Sequence, residues 1–137
     1  MKRSKPPFGH DARRWHRALA LAVDHNLRLV AVDALEGLAV DACNTESFIE
    51  TLRLLGAAER LRDETGYRWR FAGEQRAVDE ATNASRTAVG DGSDAASAEG
   101  YYMDWRIAAA YANRARGERR RPRHGWASLT PTEEEVT

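Results

Sequence analysis

Between Asp11 and Gly66 apolar side chains recur at spacings of three and four, and the pattern breaks only at His25-Asn26 and around Asn44-Thr45. Three helices joined by links this short must run nearly antiparallel. In the first, from Asp11 to His25, Trp15, Ala18, Leu19 and Ala22 share one face, while Arg13, Arg14, Arg17 and Asp24 face water. Asp11 is a candidate N-cap. The second, Leu27 to Ala42, is apolar almost all round through Leu27, Leu29, Val30, Val32, Leu35, Leu38, Ala39 and Ala42. Such a helix has to lie between two neighbours, so its burial is expected to be the deepest. The third, Glu46 to Thr65, takes Asn44 or Thr45 as N-cap, carries Glu46 in its first turn and stops at Gly66. Phe48, Leu52, Leu55, Ala58 and Leu61 form its inner stripe, with Glu50, Arg53, Glu59, Arg60, Arg62 and Asp63 outside. Gly56 and Ala57 are small enough to admit another helix closely.

The remaining chain is less regular. Tyr67, Trp69 and Phe71 alternate with Arg68 and Arg70, which reads as an extended link whose aromatics cap the core. Ala77, Ala81, Ala84 and Ala88, with Val78 and Val89, predict a weakly amphipathic helix over 74–89. Gly90, Gly92, Ser93, Asp94 and Gly100 predict a turn or mobile loop. Tyr101, Trp105, Ala108, Ala112 and Ala115 mark a further helix, which Gly117 can terminate. With abundant alanine and only 8% aromatic residues, the balance favours helix over strand. The expected fold is all-α: antiparallel helical hairpins stacked in a tetratricopeptide-like manner over 11–116. A polar leader (1–10) precedes it, and a flexible basic linker follows over 117–137, where Pro122 and Gly125 break regular helix.

The 21 basic and 21 acidic residues cancel, so no global field draws the chain to nucleic acid or membrane, and any electrostatic role is local. Cys43 stands alone and is expected to be a buried, reduced thiol. Neither an apolar signal segment nor a run of roughly 18 apolar residues is present, so a cytoplasmic protein is expected. His10, His16, His25 and His124 lack metal-ligand spacing and read as solvated or capping residues. Asp63-Glu64 and Glu133 to Glu135 lie on polar surface without an apolar wall to raise a pKa, and Ser47 and Ser128 have no positioned base. We therefore expect no enzyme, no metal and no cofactor.

The arginines Arg114, Arg116, Arg119, Arg120, Arg121 and Arg123 stand out, six guanidinium groups within ten residues. They suit DNA phosphates, giving affinity without sequence information, or equally a solvated linker. Trp126 reads as a local packing residue.

Two stretches carry a resemblance. LLGAAERLRDETG at 54–66 resembles the helical segment preceding the DNA-binding domain in large ATP-binding LuxR-type regulators, and RGERRRPRHGWASLTPTEEEV at 116–136 resembles their linker and the first residues of their helix-turn-helix. The resemblance runs from about Trp15 onward and includes AEG at 98–100 and AAAYANRARGE. It implies that Thr130 is the N-cap and Pro131 the first residue of the opening helix of the reader domain. Thr, Pro and then Glu133 make a sound helix start independently: a cap, a preset φ and a charge suited to the helix end. In place of the family's bulky apolar residues this chain has Gly92, Ser93, Asp94 and Ser97, and the chain stops at Thr137 before any recognition helix. No GxxxxGK[ST] sequence occurs, so the family's ATP site lies elsewhere. The implied function is a connecting or signal-relaying helical module of a LuxR-type transcription regulator. The alternative is a free-standing interaction or dimerisation module from a truncated regulator gene. A protein partner or self-association is expected, with weak non-specific DNA contact through the arginines and no membrane.

Overall fold

A computed structural model describes residues 11–119 and bears out the all-α expectation: six α-helices and one 3-10 turn, with no strand among the described residues. Helix α1 (Ala12–His25) begins where the Asp11 carboxylate accepts the Arg14 amide N–H at 3.3 Å. It ends on Asn26 in the left-handed region (φ 55°), a conformation that Asn tolerates better than most residues. Helix α2 (Arg28–Asn44) is the expected central helix, with Ala31, Val32, Ala34, Leu35, Leu38, Ala39 and Ala42 all buried. Helix α3 (Phe48–Thr65) stops at Gly66, whose φ of 76° suits glycine.

The start of α3 differs from expectation. Helix α2 continues through Asn44, and the Thr45 hydroxyl donates to the Ala42 carbonyl at 3.0 Å, so these residues close α2 rather than open α3. Glu46, at φ 63°, reverses the chain, Ser47 occupies the N-cap position, and Glu50 is the acidic residue of the first turn. The stripe also rotates. Leu54 and Ala57 are buried beside Leu52, Ala58 and Leu61, Phe48 and Leu55 are half-buried, and Glu50 and Arg62 are inside. A helix packed on several sides buries more than one stripe, because α3 touches α2, α4, α5 and α6.

Of the aromatics in the 67–71 link only Tyr67 packs on the core; Trp69 and Phe71 are exposed and meet edge to face at 4.3 Å. The alternation turns Arg70 inward instead. Helix α4 (Ala72–Val89) commits only Val78 and Ala81 to a small cluster with Val40, in keeping with its weak amphipathicity.

Residues 90–100 are not a loop. Gly90–Gly92 form a 3-10 turn, the Ser93 hydroxyl donates to the Gly90 carbonyl at 2.7 Å, and helix α5 runs from Ser93 to Tyr101. The glycine and serine content that suggested mobility serves a close helix crossing. A Cβ on Gly100 would come within 2.6 to 2.7 Å of the Arg53 backbone, and one on Gly56 within 2.8 Å of the Tyr101 nitrogen. Side chains at either point would hold α5 off α3.

Helix α6 (Trp105–Arg119) seats Trp105, Ala108, Ala109 and Ala112 in the main core. It passes through Gly117 rather than ending there. Helices α1 and α6 lie antiparallel: Arg106 Nη2 donates to Asn26 Oδ1 at 2.6 Å at one end, and His16 Nδ1 lies 3.0 Å from Asn113 Oδ1 at the other.

Candidate functional site

Of the residues singled out for phosphate contact, Arg114 is exposed and Arg116 half-buried near the end of α6, and the α6 backbone extends to Arg119. Neither Arg114 nor Arg116 makes an ion pair with another described residue. Arg120, Arg121, Arg123, Thr130, Pro131 and Glu133 lie outside the described residues, as do His10, His124 and Trp126.

A second polar arrangement went unnoticed in the sequence. Glu36 sits in the middle of α2, a helix with almost no aqueous face, and is 2% exposed. Arg62 of α3 grips it through two hydrogen bonds, Nε at 2.7 Å and Nη2 at 2.9 Å, and Arg70 from the extended link adds Nη2 at 2.6 Å and Nε at 3.1 Å. Both carboxylate oxygens are thus bound twice. The remaining nitrogen of Arg62 donates to the Tyr67 carbonyl at 2.9 Å, and that of Arg70 to Gln75 Oε1 at 2.7 Å. Burial pushes the Glu36 carboxyl up, but the hydrogen bonds from Arg62 and Arg70 outweigh it and leave the carboxyl below its ordinary value. Glu36 therefore stays ionised, and the cluster ties α2, α3 and the 67–71 link together.

Nearby, Asp33 accepts the Tyr67 hydroxyl at 3.3 Å, and burial holds its carboxyl above the usual value despite that bond. On the surface, Asp63 accepts the Tyr101 hydroxyl at 2.6 Å and pairs with Arg68, which together hold it below the carboxylate norm. Arg60 donates to the Tyr101 carbonyl at 2.9 Å and Arg53 pairs with Glu99 at 2.8 Å, so α3 holds the end of α5 by three polar contacts as well as by the glycine crossing.

Above the Glu36–Arg70 pair opens a groove of about 450 Å³ between α3, α4 and α5. Leu52, Leu55, Val78, Tyr101 and Tyr102 make its mainly apolar walls. Its size lies within the range of ligand clefts.

The remaining sequence candidates are structural. His16 is buried against α6 rather than solvated, whereas His25 is exposed at the end of α1. Cys43 is half-buried, with its sulfur 3.9 Å from both the Ala81 carbonyl and the Ser85 hydroxyl, so it is less enclosed than its lone position suggested. Asp63 and Glu64 lie on the exposed surface, as the sequence indicates. Among the described residues no group of His, Cys, Asp and Glu is placed to hold a metal, and no helix is long and apolar enough to cross a membrane.

Comparison with curated proteins gives an alignment over 138 residues at 43% identity with proteins named "Putative HTH-type transcriptional regulator" from Mycobacterium bovis and from two strains of Mycobacterium tuberculosis. The chain is similar to one segment of these regulators. The alignment takes in 98% of this chain and 15% of each relative, so the chain spans about a seventh of their length. No protein-family model matches the chain, and no solved structure matches it.

Proposed function

We infer that this chain acts as a helical connecting module of a transcription regulator, relaying a change of state from the bulk of such a protein to a helix-turn-helix reader. The observation that carries the reading is the alignment of nearly the whole chain, at 43% identity, with mycobacterial proteins named as HTH-type regulators. In this reading 11–116 is the helical module, stacked in a tetratricopeptide-like manner, and 117–137 is the linker leading into a LuxR-type reader, with Thr130, Pro131 and Glu133 at its first helix. The protein works in the cytoplasm by binding and mechanics rather than catalysis.

Helix α6 supports the relay. Its first two turns are anchored in the core by Trp105, Ala108 and Ala109, and its last turns carry Arg114 and Arg116 toward the basic run. A continuous helix is a stiffer coupling than a glycine-rich link, so a displacement at the bundle reaches the linker with little loss.

The test substitutes this chain for the matching segment of the M. tuberculosis regulator and measures occupancy of that regulator's own DNA sites. The chimera should retain occupancy. Replacing residues 114–119 of the chimera, beyond the core-anchored turns of α6, with a Gly/Ser stretch of equal length should leave the protein folded but uncouple occupancy from the regulator's signal. Unaltered signal dependence in the Gly/Ser chimera would sink the relay.

A further inference from the structure

Helix α1 contributes arginines that the sequence reading assigned only to a wetted face. Because α1 and α6 are antiparallel and meet at His16 and Asn113, residue 13 lies opposite residue 116, and Arg17 lies one turn further along α1. In α1 the buried positions are His16, Leu19 and Ala22, which turns Arg13, Arg14 and Arg17 to the far side, all three exposed. In α6 the buried positions Ala108, Ala109 and Ala112 turn Arg114 outward on the same side of the helix pair. With helix axes roughly 8 to 10 Å apart, Arg13, Arg17 and Arg114 share the outer side of the pair, whereas Arg14 lies over the Trp15 ring and Arg116, two residues beyond Arg114, is turned to the half-buried face of α6. Asp11, the acidic residue at this end of α1, is engaged as the helix cap. None of Arg13, Arg14, Arg17, Arg114 and Arg116 forms an ion pair with another described residue.

The opposite flank carries the other sign. Residues 72–101, which form α4, the 3-10 turn and α5, hold six acidic side chains against two basic ones. Among the described residues charge is thus separated, with exposed arginines gathered at the α1–α6 edge.

We propose that Arg13 and Arg17 of α1, with Arg114 of α6, form one phosphate-binding surface that grips the backbone of duplex DNA. The identification of the polyanion as duplex DNA rests on the regulator reading above; the surface itself rests on the antiparallel α1–α6 pairing. Contacts from two helices set about 10 Å apart fix the orientation of the module on the duplex, which a single arginine-rich strand does not. Such contacts position without reading sequence.

The experiment titrates the purified full chain against three unrelated 20-base-pair duplexes over a range of salt concentrations. The logarithm of the binding constant should fall linearly with log salt, alike for all three, by about 0.9 per phosphate contact. Arg13→Ala with Arg17→Ala should flatten the slope by about 2, judged from the same relation. Arg76→Ala with Arg86→Ala removes the same charge from α4 and should leave the slope in place. Circular dichroism checks that each variant keeps its helix content. The proposal is overturned if the α1 pair leaves the slope unchanged, if the α4 pair flattens it equally, or if single-stranded RNA of equal length binds with a steeper slope than the duplexes. A failure here with an intact chimera in the occupancy assay would remove the surface and leave the connecting role standing.

Discussion

The crossing of α3 and α5 makes a sharp test because one substitution type should have opposite signs at two glycines. Gly100→Ala places a methyl group 2.6 to 2.7 Å from the carbonyl carbon and Cα of Arg53. Those atoms belong to the middle of α3, so no side chain can rotate away. The same methyl overlaps the Arg53 carbonyl oxygen more closely still, so restoring ordinary contact requires α5 to move by more than about 1 Å, which loosens the apolar contacts along the crossing. Overpacking of this kind costs about 1 to 3 kcal/mol, and a clash between two backbones belongs at the upper end. Against it stands a gain of up to about 1 kcal/mol from replacing glycine in a helix. The expected net loss is about 2 kcal/mol. Gly117→Ala in α6 meets no atom of the described residues within 4 Å, so the propensity gain is unopposed there and stability should rise by a few tenths to about 1 kcal/mol. Urea denaturation followed by circular dichroism reads both. A Gly100→Ala protein as stable as the parent would refute the close crossing, since the same alanine could then be accommodated without displacement.

Two further outcomes follow from the cluster and from α5. Glu36→Gln leaves Arg62 and Arg70 charged and underpaired in the interior and should cost about 3 to 5 kcal/mol, as for other broken buried pairs. Because the folded Glu36 carboxyl lies below its ordinary value of 4.5, its contribution is fully present above that pH and is lost as pH falls below it. Denaturation midpoints at pH 3 to 7 should show this acid loss in the parent and a smaller one in Glu36→Gln. Asp33, held above its ordinary value, acts in the opposite sense over the same region and blunts the parent's slope. In hydrogen exchange, the amides of Ala96 to Tyr101 should be protected to an extent comparable with 52–61; rapid exchange confined to α5 would contradict its packing on α3.

The first half of the fold was legible because its signals are local. Asp11, Asn26 and Gly66 act on their own backbone, and the 3.6-residue period places Leu19, Leu35 and Leu61 inside whatever the neighbours are. Helix α5 was not legible, because Gly100 owes its presence to Arg53, 47 positions earlier, and a glycine needed for close approach looks like a glycine that breaks a helix. Arg62 was misplaced for a related reason: its charge argued for water, and only a partner distant in sequence reverses that. A signal for the partner was available. Glu36 lies in a helix apolar on nearly every side, and a carboxylate there requires a buried cation. The basic run was visible as a run, but its continuation onto Arg13 and Arg17 depends on α1 and α6 lying side by side.

Among the described residues, the exposed arginines of the α1–α6 edge and the acidic excess of the α4–α5 flank separate charge across the helical module. A neutral body is not drawn toward a polyanion from afar. Once within a Debye length, about 8 to 10 Å at ordinary ionic strength, its two poles feel unequal potentials and experience a torque. The duplex then swings the arginine edge inward and the acidic flank outward before any contact forms. Of the many collision geometries, those leading with α5 are repelled and those leading with α1 and α6 are retained. Salt should thus act on how the module lands more than on how often it arrives.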